Sequence, residues 1–256
     1  MSDGIRPFRI EIPQADLDYL HDRLGTARWP GELPGVGWAR GVPLDYLKEL
    51  AEYWRTQYDW RAQEARFNQY PQFTTEIDGQ RIHFLHLSSD QADAKPLLIT
   101  HGFPSCVAEF LYLIEPLVNP AAGQAFHVVA PSLPGYAFST PLAATGWAMG
   151  RTARAWVELM RRLGYERYGV HGGDVGAGVS ATVAGLDGEH VIGVHVVTDP
   201  LTAATPRPSR DGRPARRARP ARQGDGEQLT GGLTLTAPRA DPGDRQAVGA
   251  QPPVGQ

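Results

Sequence analysis

One stretch has the composition of a catalytic turn: Val170-His171-Gly172-Gly173-Asp174-Val175-Gly176-Ala177-Gly178. A run that favours a β-strand precedes it, a run that favours a helix follows it, and small residues between them allow a sharp turn. This is the pattern of a nucleophile elbow, in which the central side chain is exposed above a sheet. Serine is usual there, and a carboxylate at Asp174 instead predicts attack on an electrophilic sp3 carbon, giving an alkyl-enzyme ester. The alternative is a glycine-rich surface turn with a solvated aspartate, since short glycine motifs are weakly specific.

The composition indicates a globular protein. The chain has 256 residues, a formal net charge of -3 and 41% hydrophobic residues, which suits one large domain or two small ones. The charge balance gives no reason to expect nucleic acid as a partner. Cys106 is the single cysteine, so an intramolecular disulfide is excluded and a reducing compartment is expected. No run approaches the roughly 20 apolar residues of a membrane span. We therefore expect a soluble, cytoplasmic protein without membrane contact, and the oligomeric state stays open.

The N-terminal residues predict a strand and then a helix. Apolar and charged residues alternate over residues 8–13, as in a short strand. Pro13 can then occupy the first turn of a helix that runs to about Arg28, where Trp29-Pro30 ends it. The buried stripe of this helix is expected to consist of Leu17, Leu20 and Leu24.

A loop rich in glycine and proline over residues 31–41 leads to the clearest helix of the chain. In the loop, Trp38 is expected to anchor into the core. Apolar residues recur at spacings of three and four over residues 43–58, with a proline at the start. A second helical stretch is predicted over residues 61–68.

A hairpin is predicted over residues 73–87. Strand-like runs flank Asp78-Gly79, which is a strong signal for a two-residue turn. His83 and His86 lie three apart on the second strand and therefore point to opposite faces, which argues against a metal site. No partner at metal-ligand spacing is found for the further histidines His21, His127, His190 and His195.

From residue 96 onward the order of elements is that of a parallel sheet. Strand-like and helical runs alternate, and the strands are continuous apolar runs, as in a sheet that helices cover on both faces. A loop is predicted over residues 131–139. Strands are predicted over residues 96–100, 126–130, 168–171 and 191–198, and helices over residues 106–117, 148–163 and 177–186.

The composition changes abruptly after Asp199-Pro200. The following sequence is rich in arginine, proline, alanine and glycine, and the last aromatic residue of the chain is Tyr168. Such a segment has too little apolar surface to offset its ordering entropy, so residues 201–256 are expected to be disordered. We interpret the change as a shift of reading frame near Pro200. The alternative is a basic disordered extension that binds an acidic partner.

Several motifs resemble those of epoxide hydrolases and haloalkane dehalogenases. They are His101-Gly102-Phe103-Pro104, the loop PSLPGYAFS of residues 131–139, and the GGDVG elbow of residues 172–176. The N-terminal part narrows the resemblance to microsomal-type epoxide hydrolases. There the similar motifs are Arg28-Trp29-Pro30, Tyr53-Trp54, Tyr58-Asp59-Trp60-Arg61 and Ile77-Asp78-Gly79. Each motif is moderately specific, but their common order and spacing over residues 5–200 make coincidence very improbable.

This resemblance implies an α/β-hydrolase fold: an N-terminal epoxide hydrolase domain over residues 1–95, a partial core over residues 96–200, and the tail. Asp174 would be the nucleophile that opens a small-molecule epoxide by backside attack. The backbone N–H groups of Phe103 and Val175 would form the oxyanion hole for the later attack of water on the ester. The Phe103-Pro104 peptide would be cis. The product would be a vicinal diol, and neither a metal nor an organic cofactor is implied.

The sequence also departs from the family at positions that matter for turnover. Val175 stands where dehalogenases carry a tryptophan that helps to hold halide, which argues against dehalogenation. No tyrosine and no histidine follows His195, so the cap tyrosines and the water-activating histidine of the family have no counterpart, and Asp199 has no histidine to orient. The cap and the last strands are expected to be missing, and an ester at Asp174 should be trapped. The competing interpretations are a non-catalytic remnant or interaction module, then a haloalkane dehalogenase, then a serine esterase.

Overall fold

A computed structural model describes residues 4–197, and the strands among them form one seven-stranded sheet. In chain order the strands are β1 (Arg6–Phe8), β2 (Gln72–Ile77), β3 (Gln80–Leu87), β4 (Lys95–Thr100), β5 (Phe126–Pro131), β6 (Tyr168–Gly173) and β7 (Val191–Val197). Across the sheet they follow the order β1-β2-β3-β5-β4-β6-β7. The elbow at the end of β6 therefore lies beside the end of the neighbouring strand β4.

The sheet has an antiparallel and a parallel part. β1, β2 and β3 are antiparallel neighbours, and β3 is also antiparallel to β5. β5, β4, β6 and β7 run parallel to one another. Asp78 (φ 52°) and Gly79 (φ 72°) close the β2–β3 hairpin in the positive-φ conformation of a two-residue turn. The predicted hairpin and the predicted parallel sheet are both confirmed.

Three helices connect β1 to β2. They are α1 (Gln14–Gly25), α2 (Leu44–Thr56) and α3 (Trp60–Phe67). The strand predicted over residues 8–13 is instead β1, which ends at Phe8 because its antiparallel partner there, Gln72, is the first residue of β2. Of the stripe predicted for α1, Leu17 is buried, whereas Leu20 and Leu24 are only half-buried.

The prediction that Trp38 anchors into the core is wrong. Its side chain is 64% exposed, and it lies in a short 3-10 helix (Gly37–Arg40) with its ring edge-to-face against Tyr46 at 5.2 Å. The apolar face of α2 is also open, with Leu50 48% and Trp54 45% exposed. Helical periodicity tells which residues share a face, but it does not tell whether another element covers that face.

Helices cover both faces of the parallel part of the sheet, which explains why apolar residues are continuous along its strands. Leu98 and Val129 face a core that contains Trp156, while their neighbours Ile99 and Val128 face a second core across the sheet. The helices of this part are α4 (Leu111–Val118), α5 (Met149–Arg162) and α6 (Val175–Leu186), and a short 3-10 helix (Val107–Phe110) precedes α4. Strands buried on both sides lose the alternation of polar and apolar residues.

Some predictions concern residues that the structure does not describe. Asp199, the tail of residues 201–256 and the expected absence of the cap and the last strands all concern residues outside 4–197. The division of the chain after residues 95 and 200 also stays a prediction. Among the helices of residues 4–197, none combines the length and the apolar character needed to cross a bilayer.

Candidate active site

Asp174 lies at the turn between β6 and α6. Its backbone conformation, with φ 50° and ψ -122°, is one that residues other than glycine rarely adopt. The turn is held from both sides. The Asp174 N–H donates to the carbonyl of Val197 at 3.2 Å, and the Asp174 carbonyl accepts from Ala177 at 3.0 Å. Such strained residues persist where their surroundings fix them, and they cluster at functional sites.

Close approach of α6 to β4 explains why small residues follow Asp174. A Cβ atom at Gly176 would lie 2.0 Å from the carbonyl oxygen of Thr100, the last residue of β4. At that distance any side chain would force the helix away from the sheet. The first turn of α6 can therefore sit against the end of β4 only with glycine at position 176.

The Asp174 carboxylate receives two backbone hydrogen bonds on the same oxygen. Oδ1 accepts the N–H of Phe103 at 3.0 Å and the N–H of Val175 at 2.6 Å. Among residues 4–197, no hydrogen bond to Oδ2 is observed. The Phe103-Pro104 peptide is cis, as the resemblance implies. The structure thus brings together all three predicted site residues, although their catalytic roles stay predictions.

Hydrogen bonding keeps this carboxyl group ionised. The N–H of Phe103, and after it that of Val175, holds the pKa of Asp174 below its usual value, while slight desolvation opposes them. Both donors favour the charged form. Asp174 is therefore a carboxylate at neutral pH, as a nucleophile must be.

His101 fixes the orientation of the Phe103 N–H, a role that the sequence did not reveal. Its Nε2 accepts the N–H of Leu133 at 3.0 Å, so in the neutral ring Nδ1 carries the proton and donates it to the carbonyl of Gly102 at 3.0 Å. Burial lowers the pKa of His101, which keeps the ring neutral. The carbonyl of Gly102 and the N–H of Phe103 belong to one planar peptide unit, so holding one aims the other. In the sequence, the only indication of this role is that His101 directly precedes Gly102 in the motif.

An apolar cavity of about 240 Å³ adjoins the site. It is lined by Tyr136, Trp147 and Met149 together with Val175, the residue after the candidate nucleophile. A larger apolar cavity of about 660 Å³ lies among α1, α2 and α3. Asp174 lines neither cavity, but the smaller one is lined by its neighbour Val175 and is therefore the one that adjoins the carboxylate.

The histidines do not form a metal site in the described part of the chain. No group of three or more His, Cys, Asp or Glu side chains converges within residues 4–197. His83 contacts Ser132 and His86 contacts Tyr165. The register of β6 and β7 brings His195 within 2.8 Å of His171, Nδ1 to Nδ1. The contact between His195 and His171 was not predicted, because spacing along a chain does not report pairing between parallel strands, and it does not belong to a group of three metal ligands within residues 4–197.

Two family models match the chain. The one described as "Epoxide hydrolase N terminus" covers residues 5–110, and the one described as "alpha/beta hydrolase fold" covers residues 95–229. A "Putative epoxide hydrolase" of Stigmatella aurantiaca is 48% identical over 198 residues, which are 75% of this chain and 45% of that protein. Epoxide hydrolase 1 of Sus scrofa is 36% identical over 203 residues, 76% of this chain and 45% of that protein. The chain thus spans less than half the length of these relatives.

Solved structures agree with the sequence comparisons. The juvenile hormone epoxide hydrolase of the silkworm Bombyx mori superimposes with a TM-score of 0.71 at 34% identity, over 79% of this chain and 55% of that one. The epoxide hydrolase of Aspergillus niger gives 0.70 at 32% identity, over 84% and 57% of the two chains. Since the N-terminal helices, the hairpin and the sheet that carries Asp174 all match the same proteins, the chain belongs to the epoxide hydrolase family within the α/β-hydrolase fold.

Proposed function

We propose that the chain carries out the ester-forming half of epoxide hydrolysis. The observation behind this proposal is that both backbone donors bind Oδ1 of Asp174, which leaves Oδ2 available. Oδ2 attacks an epoxide carbon from the side opposite the ring oxygen, a C–O bond forms, and the ring C–O bond breaks. The released alkoxide takes a proton from solvent, so the product is a hydroxyalkyl ester of Asp174.

The two donors serve the second half of the reaction. In the ester, Oδ1 is the carbonyl oxygen, and addition of water to the carbonyl carbon places negative charge on that oxygen. Phe103 and Val175 already point their N–H groups at it, so the hole needs no rearrangement. One such donor is typically worth about 3 kcal/mol of transition-state stabilisation.

The groups that activate water are not supplied by the sequence beyond the described residues. No histidine follows His195 and no tyrosine follows Tyr168 in the 256 residues. General-base help is usually worth about 10²- to 10⁴-fold in rate. We therefore propose that the ester at Asp174 accumulates in this chain instead of turning over.

A dehalogenase-like reaction is less well supported. Both reactions begin with attack by a carboxylate on carbon, but halide departure needs donors around the leaving ion. Val175 lines the cavity beside Asp174 with an aliphatic side chain, which offers halide no hydrogen bond. An epoxide oxygen, in contrast, leaves as an alkoxide that solvent can protonate.

Intact-protein mass spectrometry after incubation with styrene oxide tests this function. We expect a stable gain of one substrate mass in the wild type and none in Asp174→Ala. Circular dichroism of the variant controls for folding. Diol formation without an adduct would contradict the accumulation of ester, and a folded wild type that stays unmodified by aryl and alkyl epoxides would contradict ester formation itself and favour the non-catalytic interpretation.

A further inference from the structure

We propose that His83, on strand β3 of the N-terminal hairpin, is a positioning residue for the oxyanion donor Phe103 and acts through the loop of residues 131–139. Because the role of Phe103 belongs to the proposed function, the role of His83 rests on that function. His83 does not touch the reacting atoms. Its ring is fully buried among groups that fix both nitrogens.

The hydrogen-bond pattern determines which nitrogen of His83 carries the proton. The amide nitrogen of Gln72 donates to the carbonyl of Phe67 and to Oδ1 of Asn68, so the amide oxygen of Gln72 must face the imidazole as an acceptor. Nε2 of His83, 3.0 Å away, therefore donates to Gln72. Nδ1 is then an acceptor, and Ser132 donates its hydroxyl to it at 2.9 Å.

The surroundings also keep the ring neutral and still. Desolvation by burial, with a smaller effect of the Arg81 charge, lowers the pKa of His83 to about 4. The rings of Phe8 and Phe138 stand edge-on to the imidazole with centroid distances of 5.0 and 5.2 Å. The imidazole is thus a rigid acceptor at neutral pH.

Ser132 is joined to His83 by two direct hydrogen bonds and by a third connection through Ser139, which fixes the start of the loop. Its N–H donates to the carbonyl of His83 at 2.8 Å, in addition to the hydroxyl contact. Its carbonyl accepts the hydroxyl of Ser139 at 2.8 Å, and the Ser139 oxygen accepts the N–H of His83 at 2.9 Å. Both ends of the loop are therefore clamped to one residue of the hairpin.

The next residue of the loop, Leu133, connects Ser132 to the active site. Leu133 donates its N–H to His101, which holds the peptide between Gly102 and Phe103. That peptide directs its N–H at Oδ1 of Asp174. A shift of Ser132 would move Leu133, release the His101 ring, and let the Phe103 donor turn away from the carboxylate.

Two substitutions of similar size separate this role from simple packing. His83→Asn keeps an acceptor near the position of Nδ1 and so retains the bond from Ser132, whereas His83→Gln keeps a group near the position of Nε2 and retains only the Gln72 contact. We expect both variants to unfold at similarly lowered urea concentrations. The rate of ester formation with styrene oxide should stay within about twofold of wild type in His83→Asn and fall about tenfold in His83→Gln. Ser132→Ala, which keeps the backbone bonds of residue 132, should behave like His83→Gln and replaces it if His83→Gln does not fold.

The amide resonance of Phe103 provides a readout that needs no reaction. Hydrogen bonding to the carboxylate shifts the amide proton downfield, and we expect an upfield shift in His83→Gln and Ser132→Ala but not in His83→Asn. An unchanged resonance in His83→Gln or Ser132→Ala would overturn the proposal, as would equal rate losses in both His83 variants. If the wild type forms no ester with any epoxide, the proposed function fails, yet the resonance still decides whether His83 positions Phe103.

Discussion

The elbow and the surface of α2 show two different relations between a sequence pattern and a structure. At the elbow, backbone atoms approach so closely that a Cβ on Gly176 would lie 2.0 Å from Thr100, and Asp174 has two fixed donors. On α2, an equally regular apolar pattern leaves Leu50 48% exposed. The elbow is determined by contacts that its own residues make, whereas the burial of α2 depends on neighbours that its residues do not specify.

Two tryptophans test this comparison with the largest expected difference. Trp156 is fully buried between α5 and the sheet, and its Nε1 donates to Thr100 at 3.2 Å. Trp38 is 64% exposed. We expect Trp156→Ala to reduce the free energy of unfolding by about 4 kcal/mol and Trp38→Ala by less than about 1 kcal/mol. Urea denaturation followed by circular dichroism measures both, and similar losses would mean that Trp38 is buried in solution.

A pair of glycines on α6 tests the close approach at the elbow. Gly176→Ala places a methyl group against backbone, so we expect a loss of about 3 kcal/mol together with loss of ester formation. Gly185 lies on the same helix with open space around it, and Gly185→Ala should stabilise the protein by up to about 1 kcal/mol. The two variants differ only in position, so equal urea midpoints would show that α6 does not sit against β4 in solution.

Local motifs made the elbow predictable, and distant contacts limited the rest. Asp174, Phe103 and Val175 could be named because each lies in a motif whose residues are adjacent in sequence. The hairpin turn at Asp78-Gly79 is local in the same sense. The roles of His101 and His83 depend on residues that lie 32 and 49 positions away along the chain, and no short-range spacing announces such pairs. The exposure of Trp38 could not be predicted for the same reason.

We expect acid to lower the stability of the protein through His83, which contacts the loop of residues 131–139. Its folded-state pKa of about 4 lies below the ordinary value of 6.5, so unfolding takes up protons between these values. Stability is therefore unaffected by this group above pH 6.5 and falls as the pH decreases from 6.5 to 4. The full effect is about 3 kcal/mol. Urea midpoints of wild type and His83→Gln across this range measure it: the variant should show the shallower dependence, and parallel curves would mean that His83 is not the group responsible.

The smallest effect is expected on the open face of α2. Leu50→Gln removes apolar contact from a side chain that is already 48% exposed, so we expect a change in the free energy of unfolding below about 1 kcal/mol. The helix itself should persist, because glutamine is a good helix former.

Urea midpoints measured at two protein concentrations tenfold apart provide the control for Leu50→Gln. A loss above about 2 kcal/mol at both concentrations would mean that another part of the chain covers α2 in solution, whereas a loss that grows with concentration would mean that a second copy covers it. Either result would mean that α2 is buried in solution, as its regular apolar pattern predicts. The exposure of Leu50 would then reflect the absence of the covering neighbour from residues 4–197.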